Sequence, residues 1–233
     1  MFDIYYLILV VPTLLLSLWA QIMVKSTFAK YSKIPCSRNF TGKDAADLLL
    51  RVNNINDVRI EAVGGSLTDH YSPSDKALRL SEPVFNNSSI AAVGVSAHEI
   101  GHAIQHNRHW GPLVLRSTLV PVANIGSKLG PWIAIAGLAI SGSETFGGFS
   151  SLIFNIGILL FAGAVLFYVI TLPVEFNASS RALALLRDNN VLSNDELKGV
   201  KKVLSAAALT YVASALTAIM SLLRLILIAR NRR

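Results

Sequence analysis

The sequence predicts an α+β chain that is mostly helical and embedded in a membrane, with about four transmembrane helices and a small polar domain containing a few short strands. Three observations predict it. Hydrophobic residues make up 52% of the 233 and charged residues only 15%, and mean hydropathy is +0.51; soluble domains carry roughly 25% charged residues. Apolar runs close to the ~20 residues a crossing needs recur along the chain. After the first run comes a long polar section whose patterning alternates between helical and strand periods.

Residues 4–24 carry no charge, and residues 1–25 are expected to form an N-terminal transmembrane anchor. No basic region precedes the run and no small-residue cleavage pattern follows it, so it reads as a retained anchor, not a cleaved signal. Residues 26–112 form the polar domain. Thr41-Gly42-Lys43-Asp44 resembles a capping box, with Asp in the usual Glu/Gln place, and residues 45–52 follow as a helix. Residues 58–63, 67–71 and 77–80 read as three short strands separated by the turn residues Gly64-Gly65 and Ser72-Pro73-Ser74-Asp75. Ser88 or Ser89 then caps a helix that runs to about Asn107.

Residues 113–172 are expected to form a transmembrane hairpin. Its first half, 119–140, is the weaker span: it contains Lys128 and is interrupted by Gly126, Gly130 and Pro131. A link of Gly and Ser character, 141–151, joins it to the clean run 152–172. Residues 173–204 are expected to form a helix that carries Glu175, the third-ligand candidate. Residues 205–233 hold a last apolar run, 205–223, then Arg224 and the basic tail Arg230-Asn231-Arg232-Arg233.

The net charge of +7 does not point to nucleic acid, because the basic residues flank apolar runs instead of forming one stripe with interleaved aromatics. They suit a lipid bilayer with anionic headgroups. Lys25, Lys30, Lys33 and Arg38 follow the first span, Arg181, Arg187, Lys198, Lys201 and Lys202 precede the last, and the 141–151 link has neither Lys nor Arg. The positive-inside rule therefore predicts a multi-pass protein of the cell membrane with its polar parts on the cytoplasmic side; the C-terminal arginines run against it. The single cysteine, Cys36, excludes an internal disulfide and a thiolate-rich metal site.

The chemistry sits in His98-Glu99-Ile100-Gly101-His102. Two histidines four apart on a helix differ by about 40° in direction and about 6 Å in rise, so both imidazoles reach one ion. Glu99 points some 100° from His98 and serves not as a ligand but as a base beside an open coordination position. Zn2+ is the ion this pattern suits. Small residues surround the motif: Ala91, Ala92, Gly94, Ala97, Gly101 and Ala103.

A third ligand is needed. His106 lies on the same helix, but His98 to His106 spans about 12 Å, too far to surround one ion, so His106 and His109 read as surface or outer groups. Glu175, just past a membrane run, is the better candidate; an interfacial acid paired with Arg181 or a lysine is the equal alternative. Ser179, four residues on, could orient His98 or His102. His70 or Tyr71 could donate to a developing oxyanion, or be satisfied structural groups. Residues 77–80 could offer a strand edge to an extended peptide, or be an ordinary core strand.

These residues carry a family resemblance that runs nearly end to end. In the blocks Leu67-Thr68-Asp69-His70-Tyr71-Ser72-Pro73, Arg79-Leu80-Ser81, Ser96 through Gln105, and Leu172 through Ser179, the chain resembles the YugP-type neutral zinc metallopeptidases, a membrane zincin family. It is more distantly similar to HtpX-type membrane peptidases, whose Glu-x-x-Ala-Asp run supplies the third ligand. The resemblance implies a zincin-like domain over 26–112, with His98, His102 and Glu175 as zinc ligands and Glu99 as base. Ser179 replaces the acid of the distant family, and Asn177 and Ser72 stand where YugP-type proteins more often carry Asp.

The expected activity is that of a membrane-embedded zinc endopeptidase of the HExxH-plus-Glu, gluzincin-like type. It would act on polypeptides in or near the membrane, in a role such as protein quality control. Two alternatives stand beside it: a non-catalytic membrane scaffold that keeps a structural zinc, and a small transporter with Lys128 and Arg224 as buried charges.

Overall fold

The computed structural model describes residues 3–140 and 147–231. A π-helical turn (Tyr6–Val10) leads into α1 (Val11–Tyr31), followed by α2 (Gly42–Val52), β1 (Arg59–Val63), β2 (His70–Ser72), β3 (Ala77–Ser81), α3 (Glu82–Phe85), α4 (Ile90–Asn107), α5 (Gly111–Ile140), α6 (Gly147–Asp188) and α7 (Asn194–Arg230). The chain is therefore α+β and mostly helical, and α1, α5, α6 and α7 are long and apolar enough to cross a membrane.

These helices outrun the apolar stretches that announce them. α5 starts at Gly111 and passes through Pro121 and Pro131 without a break. Gly126 and Gly130 do not interrupt it. A Cβ at Gly130 would meet the Phe161 backbone nitrogen at 2.9 Å, so the glycine is where α5 and α6 approach closely. α6 continues past Leu172 through Pro173 to Asp188. α7 begins eleven residues before the last apolar run because Ser193 and Glu196 cap it reciprocally. The Ser193 N–H donates to Glu196 Oε2 at 2.7 Å, and the Glu196 N–H to Ser193 Oγ at 3.4 Å. Most of the 141–151 link, residues 141–146, and the tail residues Arg232 and Arg233 lie outside the described residues.

The three strands form one sheet in the order β1-β3-β2, with β3 parallel to β1 and antiparallel to β2. The strand expected at 67–71 is displaced to His70–Ser72. Gly65 at φ 99° and Leu67 at φ 59° sit in the left-handed region, which bends the chain before it can extend. The edge role suggested for 77–80 is also corrected. β3 is the central strand, with β1 along one side and β2 pairing Ala77–Arg79 on the other, and four of its five residues are buried, so it is not an edge strand of the sheet.

The helices divide between two compact units. The first comprises Met1–Trp19, Val114–Leu172 and Thr210–Arg233. Here Arg224, one of the charges a transporter would need in its interior, donates from Nη2 to Asp3 Oδ2 at 2.6 Å, and Lys128 lies exposed on α5. The second comprises Ala20–Leu113 and Pro173–Leu209. Its core gathers Leu49, Leu78, Leu80, Val84, Val93, Ile100, Ile104, Leu186 and Val200 around α4. The Thr41–Asp44 capping box starts α2 as expected. Asp69 ties the β2 approach to the end of β3. The Ser81 N–H donates to it at 2.7 Å and the Ser81 hydroxyl at 2.9 Å, while burial pushes its carboxyl pKa above the usual carboxylate value.

Candidate metal centre

α4 is positioned by its small residues. Ser89 is the N-cap, its hydroxyl accepting the Ala92 N–H at 3.2 Å. Ser96 donates to the Gly42 carbonyl at 2.6 Å, which ties α4 to the start of α2. At Gly101, inside the motif, a Cβ would meet the Ala178 carbonyl oxygen at 2.6 Å and its Cα at 3.0 Å. Backbone therefore meets backbone where α4 crosses α6, and that approach brings Glu175 over the two histidines. Gly101→Ala is expected to lower stability despite its better helix propensity. Overpacking against backbone costs about 1–3 kcal/mol, against a gain of about 1 kcal/mol from replacing glycine in a helix. A lower melting temperature of the detergent-solubilised protein is the readout.

The centre lies wholly within the second unit. His98 Nε2 is 3.4 Å and His102 Nε2 3.6 Å from the same Glu175 oxygen, Oε2. The imidazoles stand edge to face, 86° apart with centroids at 4.8 Å. One donor atom from each of the three residues lies within 4.8 Å of the others, close enough to bind one metal ion. Two ligands held tetrahedrally at zinc's distance of about 2.0–2.1 Å stand roughly 3.3 Å apart, so the two Glu175–histidine distances fit that ion.

Donor chemistry supports the same fit. Gln105 is fully buried, and its Nε2 donates to the Val174 carbonyl at 2.9 Å and to Asn177 Oδ1 at 3.0 Å. A carbonyl only accepts, so it sets the amide's orientation and leaves Oε1 facing His102 Nδ1 at 3.0 Å. A proton on His102 Nδ1 satisfies that contact, and the neutral imidazole then turns its Nε2 lone pair to the Glu175 carboxylate, an arrangement that suits a cation between the two. Ser179 Oγ stands 3.2 Å from His98 Nδ1, the orienting contact that the four-residue spacing suggested. Arg181 does not pair with Glu175; its Nε donates to Asn177 Oδ1 at 2.7 Å.

Glu99 is buried on α4, and β2 reaches it: the Tyr71 backbone N–H donates to Glu99 Oε2 at 2.9 Å. The Tyr71 hydroxyl is engaged elsewhere, 2.8 Å from His106 Nδ1. Burial, with Asp57 nearby, pushes the phenol up to about 12, and burial with His109 holds His106 below its ordinary value. His70 is exposed, with Nδ1 2.8 Å from the Thr68 carbonyl. Cys36 is buried and donates to the Phe40 carbonyl.

Gln105 and the hydrogen-bonding part of Asn177 escape sequence reasoning. Nothing local on α4 sets Gln105 apart from the other polar residues of that helix, such as Ser96, Glu99 and His106.

Comparison with known proteins agrees with this geometry. The family model described as "Putative neutral zinc metallopeptidase" matches residues 6–230. The chain is 46% identical over 228 residues to a Bacillus subtilis (strain 168) protein named "Putative membrane protease YugP", covering 98% of each. No solved structure matches. Zinc is the cofactor of such a family, and the three donors are close enough to take it. The chain belongs to the neutral zinc metallopeptidase family.

Proposed function

We propose that this protein is a membrane zinc endopeptidase in which His98, His102 and Glu175 hold the metal and Glu99 is the general base, a gluzincin-like arrangement. The observation that carries the reading is the convergence of Glu175 Oε2 on both histidine Nε2 atoms, on the helix that also presents Glu99. A zinc ion bound there supplies Lewis-acid chemistry, acidifying water and polarising a carbonyl. Glu99 moves the proton. Its Oε2 is held by the Tyr71 N–H, which leaves Oε1 to take a proton from the attacking water and deliver it to the leaving amine nitrogen as the C–N bond breaks. Gln105 and Ser179 orient the ligand imidazoles, and the buried Glu175 supplies the negative charge that balances the ion.

The substrates proposed are polypeptides within or beside the membrane, because the second unit is built on stretches of the same helices that are apolar enough to cross it. The basic residues that flank the apolar runs within the second unit support a cytoplasmic site. A catalytic base buried beside the donor set favours turnover over a scaffold that merely keeps zinc.

The test is zinc content and peptide hydrolysis of the purified full chain before and after chelation. One zinc per chain is expected, with hydrolysis lost on chelation and regained with zinc. Stoichiometric zinc without cleavage of any membrane or soluble polypeptide offered would favour the scaffold instead. Within this reading, Gln105→Leu is expected to keep the fold but weaken zinc binding by roughly 10–100-fold, the range for losing a partner that orients a ligand. Competition with a chromophoric chelator measures it.

A further inference from the structure

We infer that the groove between the C-terminal part of α1 and the N-terminal part of α7, within the second unit, is a binding site for an anionic phospholipid. The groove has a volume of about 690 Å³, within the roughly 300–1,000 Å³ of ligand sites. Its walls combine two chemistries. Met23, Ala206 and Leu209 form the apolar part, and Lys30, Lys201 and Lys202 the basic part. Lys198 also lines it, but Asp195 already holds that ammonium at 2.7 Å. The other three lysines are exposed, and Lys30 lies 5.7 Å from the centre of the Tyr31 ring.

The position in the two helices gives the occupant its orientation. On α1, Met23, Thr27 and Lys30 follow one another along one face as the apolar run ends. On α7, Lys201 and Lys202 precede Ala206 and Leu209, where the last apolar run begins. Both helices therefore change from apolar to basic at the same end of the groove. An acyl chain matches the apolar end and a phosphate the basic end, as expected where a helix pair leaves a bilayer. The wall is built firmly. A Cβ at Gly199 would meet the Tyr31 ring at 2.9 Å, so α1 and α7 are in close contact beside the groove. Neither a soluble anion nor an acidic peptide accounts for the apolar half.

Native mass spectrometry of the full chain in detergent tests this, with phosphatidylglycerol and phosphatidylcholine of identical acyl chains as probes. Each lysine near a membrane surface contributes a factor of roughly five. Wild type should therefore retain phosphatidylglycerol over phosphatidylcholine on the order of tenfold or more, and the combined Lys30→Gln, Lys201→Gln, Lys202→Gln variant should fall to within about twofold. Ser205→Trp, which fills the groove from an exposed position and keeps every lysine, should also lose the lipid. The combined Lys25→Gln, Lys33→Gln, Arg38→Gln variant, whose charges lie outside the groove, should keep the preference. Equal retention of both lipids by wild type would overturn the proposal. So would a preference that survives the groove variants, an equal loss in the control, or displacement of bound lipid by inorganic phosphate or oligoglutamate. Zinc content is expected to stay unchanged throughout, so the outcome is independent of the proposed peptidase chemistry.

Discussion

Glu99→Gln is expected to reduce peptide hydrolysis by roughly 10²–10⁴-fold, the contribution of a positioned general base, while zinc content stays at the wild-type level. The substitution is nearly isosteric. The Gln amide carbonyl can still accept the Tyr71 N–H that now donates to Glu99 Oε2. What it loses is a basic oxygen: an amide neither takes a proton from water near neutral pH nor returns one to an amine. Glu99 is not among the three residues whose donor atoms converge, so the metal has no reason to leave. Zinc measured by elemental analysis, alongside cleavage of a peptide substrate, separates the two effects. Loss of zinc in Glu99→Gln would make Glu99 a ligand, and full activity would remove it from the reaction.

Glu175→Ala is expected to weaken zinc binding by more than 10²-fold, beyond the roughly 10–100-fold typical of an outer partner, and to take hydrolysis with it. Glu175 is 2% exposed, and its Oε2 faces both imidazoles at 3.4 and 3.6 Å. Without it two neutral nitrogens remain, and a structural or catalytic zinc site needs at least three protein ligands. Glu175→Gln keeps the volume and removes only the charge, so a matching loss of zinc in both variants assigns the effect to the carboxylate and not to a cavity. Stoichiometric zinc in Glu175→Ala would overturn the ligand assignment.

Much of the fold was legible in the sequence because its causes are local. Charge-free runs long enough to cross a bilayer mark α1, α6 and α7, the Thr41 and Ser89 caps mark helix starts, and the four-residue spacing of His98 and His102 places both on one face. The ends of the long helices were less legible. α5 keeps its internal glycines because they allow close packing on α6, and α7 starts early through a capping pair in polar sequence. The strand at 67–71 moved because the backbone is left-handed at Gly65 and Leu67, which alternation of side chains does not reveal.

By itself the sequence determined the membrane character, the two histidines and the acid beside them, since each follows from composition or from the pitch of a single helix. It brought Glu175 forward as one of two equal readings, because a residue 73 positions after His102 has no fixed distance from it until the chain is folded. The tertiary structure sets where its side chain lies. Gly101 lets the α4 backbone meet Ala178, and that contact sets Glu175 against both imidazoles while Arg181 turns to Asn177. It also decided which strand is central, and it brought in Gln105, whose part depends on a carbonyl of α6 that no local pattern on α4 can foretell.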